Sequence, residues 1–339
     1  MNSNIICFRS NVFILFLSLL FLVNGSNFKC KNGHLKLVID HDAGADDAMA
    51  IFIAALYEQR CQCRGPKLVA ITTTHGNVDE PQAYNNTQRI LGVLGRNVPI
   101  YRGANDSILI NQPSDHFFGM DGLGDTEYGV HYEAILAQPQ VAANALIELS
   151  NKYKDELVVV ALGALTNIAL AIRLDPFFIK RLAHLYVGAG NIQSPSEPRP
   201  EFNVKADVEA YHIVAGSSNP DLVTFIPLSQ VPKVTKEWRE DVFGSINSKP
   251  VEAMNAFERV VQTKNRPWGM LDPAAMALAL GVPLEEVYDY SDNSVVVCGD
   301  GRGITTNVFG FKNESNIRIL NTFDKDLYKT FLIDLFSEE

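Results

Sequence analysis

The stretch from Leu37 to Ala50 reads LVIDHDAGADDAMA, and its two halves follow different rules. Leu35 to Ile39 is a short apolar run with β-branched residues, which predicts a strand. Beyond the glycine, Ala48, Met49, Ile51, Phe52, Ala55 and Leu56 recur at helical spacing. Between the two lie Asp40, Asp42, Asp46 and Asp47, four carboxylates at the end of a strand, where open α/β sheets collect ligands. Poorly solvated carboxylates this close repel one another; they bind protons more tightly unless a cation or a polar ligand compensates. A ligand set made only of oxygen suits a hard cation, calcium or magnesium, over zinc or copper. Helix capping alone can explain Asp46 and Asp47, but not two further acids across a glycine turn. A phosphate-cradling loop is not supported, since the turn has one glycine and no lysine.

Outward from this segment the same rhythm repeats. Lys67 to Thr73 predicts a second strand, leading through THGN to a helix over Ala83 to Leu94. Leu157 to Ala161 predicts a third, followed by a helix from Thr166 to Leu174; His184 to Val187 and Leu222 to Ile226 predict two more strands. Ser294 to Val308 reads as a hairpin turning on Gly299, Gly301 and Gly303, and Lys325 to Phe336 as a closing helix. Short apolar strands alternating with amphipathic helices imply an α/β fold of Rossmann-like character, a mostly parallel sheet flanked by helices. Prolines 195, 198 and 200 mark a loop, not a boundary, so one domain is expected over residues 26–339.

Residues 1–25 are expected to be a signal peptide. Val12 to Val23 is an unbroken apolar run of twelve, preceded by Arg9 and followed by Gly25 and Ser26. Twelve residues fall short of the ~20 that a bilayer needs, which argues against a membrane anchor. A secreted, extracellular protein follows. The formal net charge of −10 argues against nucleic acid or an anionic membrane as the main partner. Cys30, Cys61, Cys63 and Cys298 remain after the leader, an even count compatible with up to two disulfides of undefined pairing. Cys61 and Cys63 are too tightly spaced for a zinc knuckle. Sequons at Asn85, Asn105 and Asn313 fit a glycoprotein.

Taken with its companions, the run from Asp40 to Ala50 resembles the aspartate-rich signature of the nucleoside hydrolases, the inosine–uridine and purine nucleosidases. TTTHGN ending at Asn77, GMDGLG from Gly119 to Gly124, ALGALTN ending at Asn167, EFN from Glu201 to Asn203 with Asp207, and LDPAA around Asp272 resemble the family's other segments, in family order. The resemblance implies the nucleoside hydrolase fold, a nucleoside as small-molecule partner, Ca2+ as cofactor, and a homodimer or homotetramer. It implies that Asp42, Asp47, Asp272 and the carbonyl of Leu162 hold calcium, with Asp42 also the general base toward water. It further implies that Asp46, Asn77 and Asn203 bind ribose hydroxyls, with Glu201 nearer the 5′ end, and that Asp40 supports the turn. Such a cage suits an oxocarbenium-like transition state, whose charge nearby carboxylates stabilise.

The pattern departs from the family on the leaving-group side. Where some members carry histidines, this chain has Phe118 and Leu271. Phe117, Phe118 and Trp268 are then candidates to stack on a purine base, with loop packing the simpler alternative, and His116 is a substitute acid. His41 is expected to pack into the sheet, Asn167 to be structural, and Asp272 to cap a helix that begins at Pro273. The reading favours hydrolysis of purine ribonucleosides such as inosine, guanosine and adenosine to ribose and base. A catalytically inactive secreted nucleoside- or calcium-binding protein is the alternative, and a magnesium phosphohydrolase lacks the lysine and hydroxyl set it needs.

Overall fold

Strand β1 (Lys36–His41) lies inside a nine-stranded sheet, third from one edge, because both of its faces are apolar. Leu37 and Ile39 enter the core on one side and Val38 the core on the other. The computed structural model describes residues 32–337 apart from Cys63, Pro195 and Asn265. The expected leader at 1–25, and Cys7, Cys30 and Cys63, therefore lie outside the described residues.

After β1 come helix α1 (Ala45–Cys61), β2 (Lys67–Thr73), α2 (Glu80–Val93), β3 (Ile100–Tyr101) and α3 (Ala142–Lys152). The chain continues through β4 (Leu157–Ala161), α4 (Thr166–Leu174), β5 (His184–Gly188), α5 (Phe202–Ala206), α6 (Val208–Gly216) and β6 (Val223–Ile226). It ends with α7 (Lys249–Phe257), α8 (Arg259–Gln262), α9 (Leu271–Ala279), β7 (Val287–Val295), β8 (Thr305–Phe309), β9 (Ile317–Thr322) and α10 (Lys325–Ser337).

The strand order is β3-β2-β1-β4-β5-β6-β9-β7-β8. Every pairing from β3 to β9 is parallel, and β7 and β8 close one edge antiparallel. Helices α1, α7, α9 and α10 pack on one face, and α3, α4 and α6 on the other. This is the expected Rossmann-like α/β architecture with helices on both faces. The chain leaves β1 toward β2 and β3, then returns to build β4 on β1's other side. That reversal opens a crevice beyond the carboxyl ends of β1 and β4.

Several boundaries move for local reasons. Helix α2 starts three residues before Ala83 because the Asp79 side chain caps it and Pro81 suits its first turn. The hairpin exists, but its first strand begins at Val287, before the expected Ser294, in a run whose polar residues disguise an edge strand. Helix α9 begins at Leu271, with Met270 at the cap position. Asp272 is therefore not the cap: it sits inside the first turn, where the positive end of the helix favours a carboxylate. Cys61 is in a disulfide while Cys298 is an exposed free thiol, so the expected second pair is not formed through Cys298. Among the described residues no helix is long and apolar enough to cross a membrane.

Candidate active site

The crevice holds a cavity of about 210 Å3 whose floor is acidic and whose walls are aromatic and aliphatic. Its floor begins with the turn between β1 and α1. Asp40 is the penultimate residue of the strand and is fully buried; its Oδ1 accepts from the Thr72 hydroxyl and from Asn167 Nδ2 at 2.8 Å. Burial pushes its carboxyl up to about 6, against those hydrogen bonds. It is not among the cavity's lining residues, and its bonds tie the end of β1 to β2 and α4. His41 is likewise buried, bonded through Nε2 to Thr87. Burial holds its imidazole down at about 4, leaving it neutral.

Asp42 receives two hydrogen bonds from one residue: Asn77 donates its backbone amide to Oδ2 (2.9 Å) and its side-chain amide to Oδ1 (2.7 Å). Three glycines make room for this carboxylate and its partner. A Cβ on Gly76 would sit 1.9 Å from Asp42 Oδ2, one on Gly163 would sit 3.0 Å from Asp42 Cβ, and one on Gly44 would sit 2.6 Å from Asn77 Nδ2. Asp47 is three residues into the α1 cap, where its Oδ2 accepts the Gly44 amide at 2.8 Å. One oxygen of this carboxylate caps the helix, and the other, Oδ1, is buried with no hydrogen-bond partner.

Asp272 arrives from the first turn of α9. Asp46, Asp47 and Asp272 each offer a carboxylate oxygen, and these lie within 4.8 Å of one another. Asp42 joins through hydrogen-bond reach to Asp47. Burial, then mutual repulsion, raises Asp42, Asp46 and Asp272 well above the ordinary carboxylate range, and burial raises Asp47 to about 6. Asp46 Oδ1 is also buried and unpartnered. Clustered acids with orphaned oxygens and no buried cation among them fit a hard metal ion. Of the expected metal set, Asp47 and Asp272 come together with Asp46, which was expected on the sugar, while Asp42 lies within hydrogen-bond reach of Asp47 and Leu162 lines the same cavity.

Beside this cluster the remaining polar groups are arranged as acceptors. Asn203 Nδ2 donates to the carbonyls of Leu162 (2.8 Å) and Gly188 (2.9 Å), which leaves Oδ1 as its free end. The Asn77 amide is spent on Asp42 in the same way. Glu201 caps α5, accepting the amides of Asn203 and Val204, and also accepts the Gly190 amide. A floor of acceptors requires a ligand that brings donors, as a sugar does with its hydroxyls.

Phe117 and Phe118 meet edge to face at 4.8 Å in the lining of the same cavity, which Leu228, Met270 and Leu271 also line. Trp268 is not part of that wall. Its ring is buried, and Nε1 donates to Glu258 at 3.1 Å, so it does not stack on a ligand. His116 lines a separate surface groove, which removes it as a substitute acid in this conformation. Asp115 and Arg266 line the cavity and were not expected. Arg266 lies over the Phe117 ring at 4.9 Å. Asp115 adjoins the aromatic pair in sequence and was within reach of inference; Arg266 belongs to no motif.

Comparison with known proteins agrees with this geometry. Residues 37–330 match the family described as inosine-uridine preferring nucleoside hydrolase. The chain is similar to the protein of that name from Leishmania major, 28% identical over 258 residues, covering 72% of this chain and 78% of the relative. A probable uridine nucleosidase 2 from Arabidopsis thaliana is 34% identical over 187 residues, covering 53% of this chain and 55% of its own length. Among solved structures, a plant nucleoside hydrolase superposes with a TM-score of 0.76 at 27% identity, covering 90% of this chain and 99% of that one. A purine-preferring ribonucleoside hydrolase from Gardnerella vaginalis superposes with a TM-score of 0.77 at 25% identity, covering 89% of this chain and 98% of that one. With the acid cluster at the sheet's switch point and a family match over nearly all the described residues, the chain belongs to the inosine-uridine preferring nucleoside hydrolases.

Proposed function

We propose that the protein is a secreted, calcium-dependent enzyme that hydrolyses the N-glycosidic bond of ribonucleosides, favouring purine nucleosides and releasing ribose and free base. One observation carries the reading: buried carboxylates and carbonyl acceptors share one cavity with an apolar aromatic lining. Asp42, Asp47, Asp272 and the Leu162 carbonyl would hold the calcium ion. When bound, the ion supplies positive charge that offsets the clustered acids and makes the attacking water more acidic. Asp42, oriented by its two bonds from Asn77, takes the proton of that water. Asp46 and the free carbonyl oxygens of Asn77 and Asn203 accept from the ribose hydroxyls, with Glu201 toward the 5′ end. These carboxylates favour the positive charge that develops on the ribosyl ring.

The purine preference rests on Phe117, a half-buried ring in the cavity lining braced edge to face by the buried Phe118, while Phe118 and Leu271 leave no imidazole beside the base. The disulfide at Cys61 and the apolar leader support secretion. Steady-state kinetics of the mature protein with calcium, on inosine, guanosine, adenosine and uridine, tests the proposal, with Asp42→Ala as control. Base release from purines is expected, and loss of the general base should lower kcat by about 10²–10⁴-fold. Faster turnover of uridine would overturn the purine assignment. Tight inosine binding without turnover would replace the enzyme with a nucleoside-binding protein.

A further inference from the structure

Asp207 follows the EFN segment, is almost wholly buried, and neither lines the cavity nor bonds to the acid cluster. Its carboxylate is nonetheless fully engaged. Oδ1 accepts the Ala210 amide at 2.9 Å and so caps α6. Oδ2 accepts two donors from different parts of the molecule, the Thr166 hydroxyl at 2.7 Å and the Ile108 amide at 2.9 Å. A threonine hydroxyl carries one proton, and here it is committed to the carboxylate. His75 Nε2 lies 3.2 Å from the same Thr166 oxygen, so that nitrogen must carry a hydrogen and donate it. The chain Asp207–Thr166–His75 therefore fixes both the orientation and the tautomer of the His75 ring.

His75 opens the turn that ends in Asn77, and its backbone amide is tied to the Ala104 carbonyl at 3.1 Å. Asn77 in turn holds Asp42. Ile108 lies near the start of the loop that reaches Phe117 and Phe118. We propose that Asp207 is a positioning residue for both halves of the cavity. Through Thr166 and His75 it fixes the turn that presents Asn77 to the sugar, and through the Ile108 amide it fixes the root of the loop that carries the aromatic wall. What those two walls bind rests on the hydrolase reading above.

The full-length mature protein carrying Thr166→Val tests this, because valine keeps the shape and removes the hydroxyl. Against the best purine nucleoside, KM should rise about tenfold, the worth of one to two buried hydrogen bonds. A purely structural defect would lower kcat through loss of folded protein and leave KM unchanged. Thr166→Ser should restore KM, and Asp207→Asn, which retains a good helix cap, should reproduce the rise. A wild-type KM in Thr166→Val or in Asp207→Asn would overturn the proposal, as would Thr166→Ser as impaired as valine. Proton–nitrogen NMR of histidine-labelled protein, assigned with His75→Gln, reads the relay without turnover. One protected Nε2–H tautomer is expected for His75, lost in Thr166→Val; an Nδ1–H tautomer in the parent protein would refute the relay. Because this arm needs no substrate, failure of the relay and failure of the hydrolase reading are separable.

Discussion

Gly76 is the residue on which Asp42, the proposed general base, depends most closely without being chemically reactive. No side chain fits there, since a Cβ would overlap an Asp42 carboxylate oxygen. Gly76→Ala must move either Asp42 or the turn carrying Asn77, and misplacement by about 1 Å can cost about 10²-fold in rate. We expect kcat/KM to fall by about that factor while circular dichroism and solubility stay unchanged. An alanine variant with parental kinetics would show that the turn has slack the structure does not suggest. The carboxylates themselves were legible from sequence, because Asp40, Asp42, Asp46 and Asp47 are crowded into one turn. Their division of labour was legible only through the family resemblance. That Asp46 stands beside Asp47 and Asp272 is a matter of side-chain direction, which spacing along a chain does not determine.

At the scale of elements, the segment from Trp268 to Asp272 is held by an isolated antiparallel bridge between Val234 and Trp268 and by a buried ion pair. Arg239, in a π-helical turn over Trp238–Phe243, donates from Nε to Glu258 at 2.7 Å, and both side chains are essentially inaccessible. Glu258 also accepts from Trp268 Nε1, two residues before the cavity-lining Met270. Removing one charge of a buried pair strands the other, at a cost of about 3–5 kcal/mol. Glu258→Gln should therefore lower the stability measured by urea denaturation by that order, and a loss under about 1 kcal/mol would mean the pair is solvated. None of this was visible in the sequence, where Arg239, Glu258 and Trp268 are separated and unpatterned. By contrast β2, β4 and α4 were read to the residue, because an apolar β-branched run or a helical apolar stripe there ends sharply at polar or glycine punctuation. Strand β7 was read short because TyrAspTyrSerAspAsn, residues 288–293, looks like loop; only pairing with β8 and β9 makes it a strand.

For the whole molecule, the site is a source of instability until its charge is offset. Asp40 and Asp47 have carboxyls raised to about 6, and Asp42, Asp46 and Asp272 are raised further by burial and mutual repulsion. The fold thus binds these protons more tightly than the unfolded chain does. The stability they contribute is fully present below the ordinary carboxylate pKa and is lost as pH rises through about 6. With calcium chelated, Tm should fall as pH rises from about 4 through about 6; with calcium in excess it should rise and depend less on pH. A Tm that climbs with pH in chelator would contradict the raised carboxyls. The same assembly bears on how the chain folds. Asp42 and Asp272 meet only after a loop of roughly 230 residues has closed, so the acid pocket is a late, non-local product of folding. A ribosome-bound chain that has not yet emitted α9 has its first acids in place and no partner to complete them. A cation bound there would then act as a latch on α9, so chains made without divalent cations should remain open at that seam.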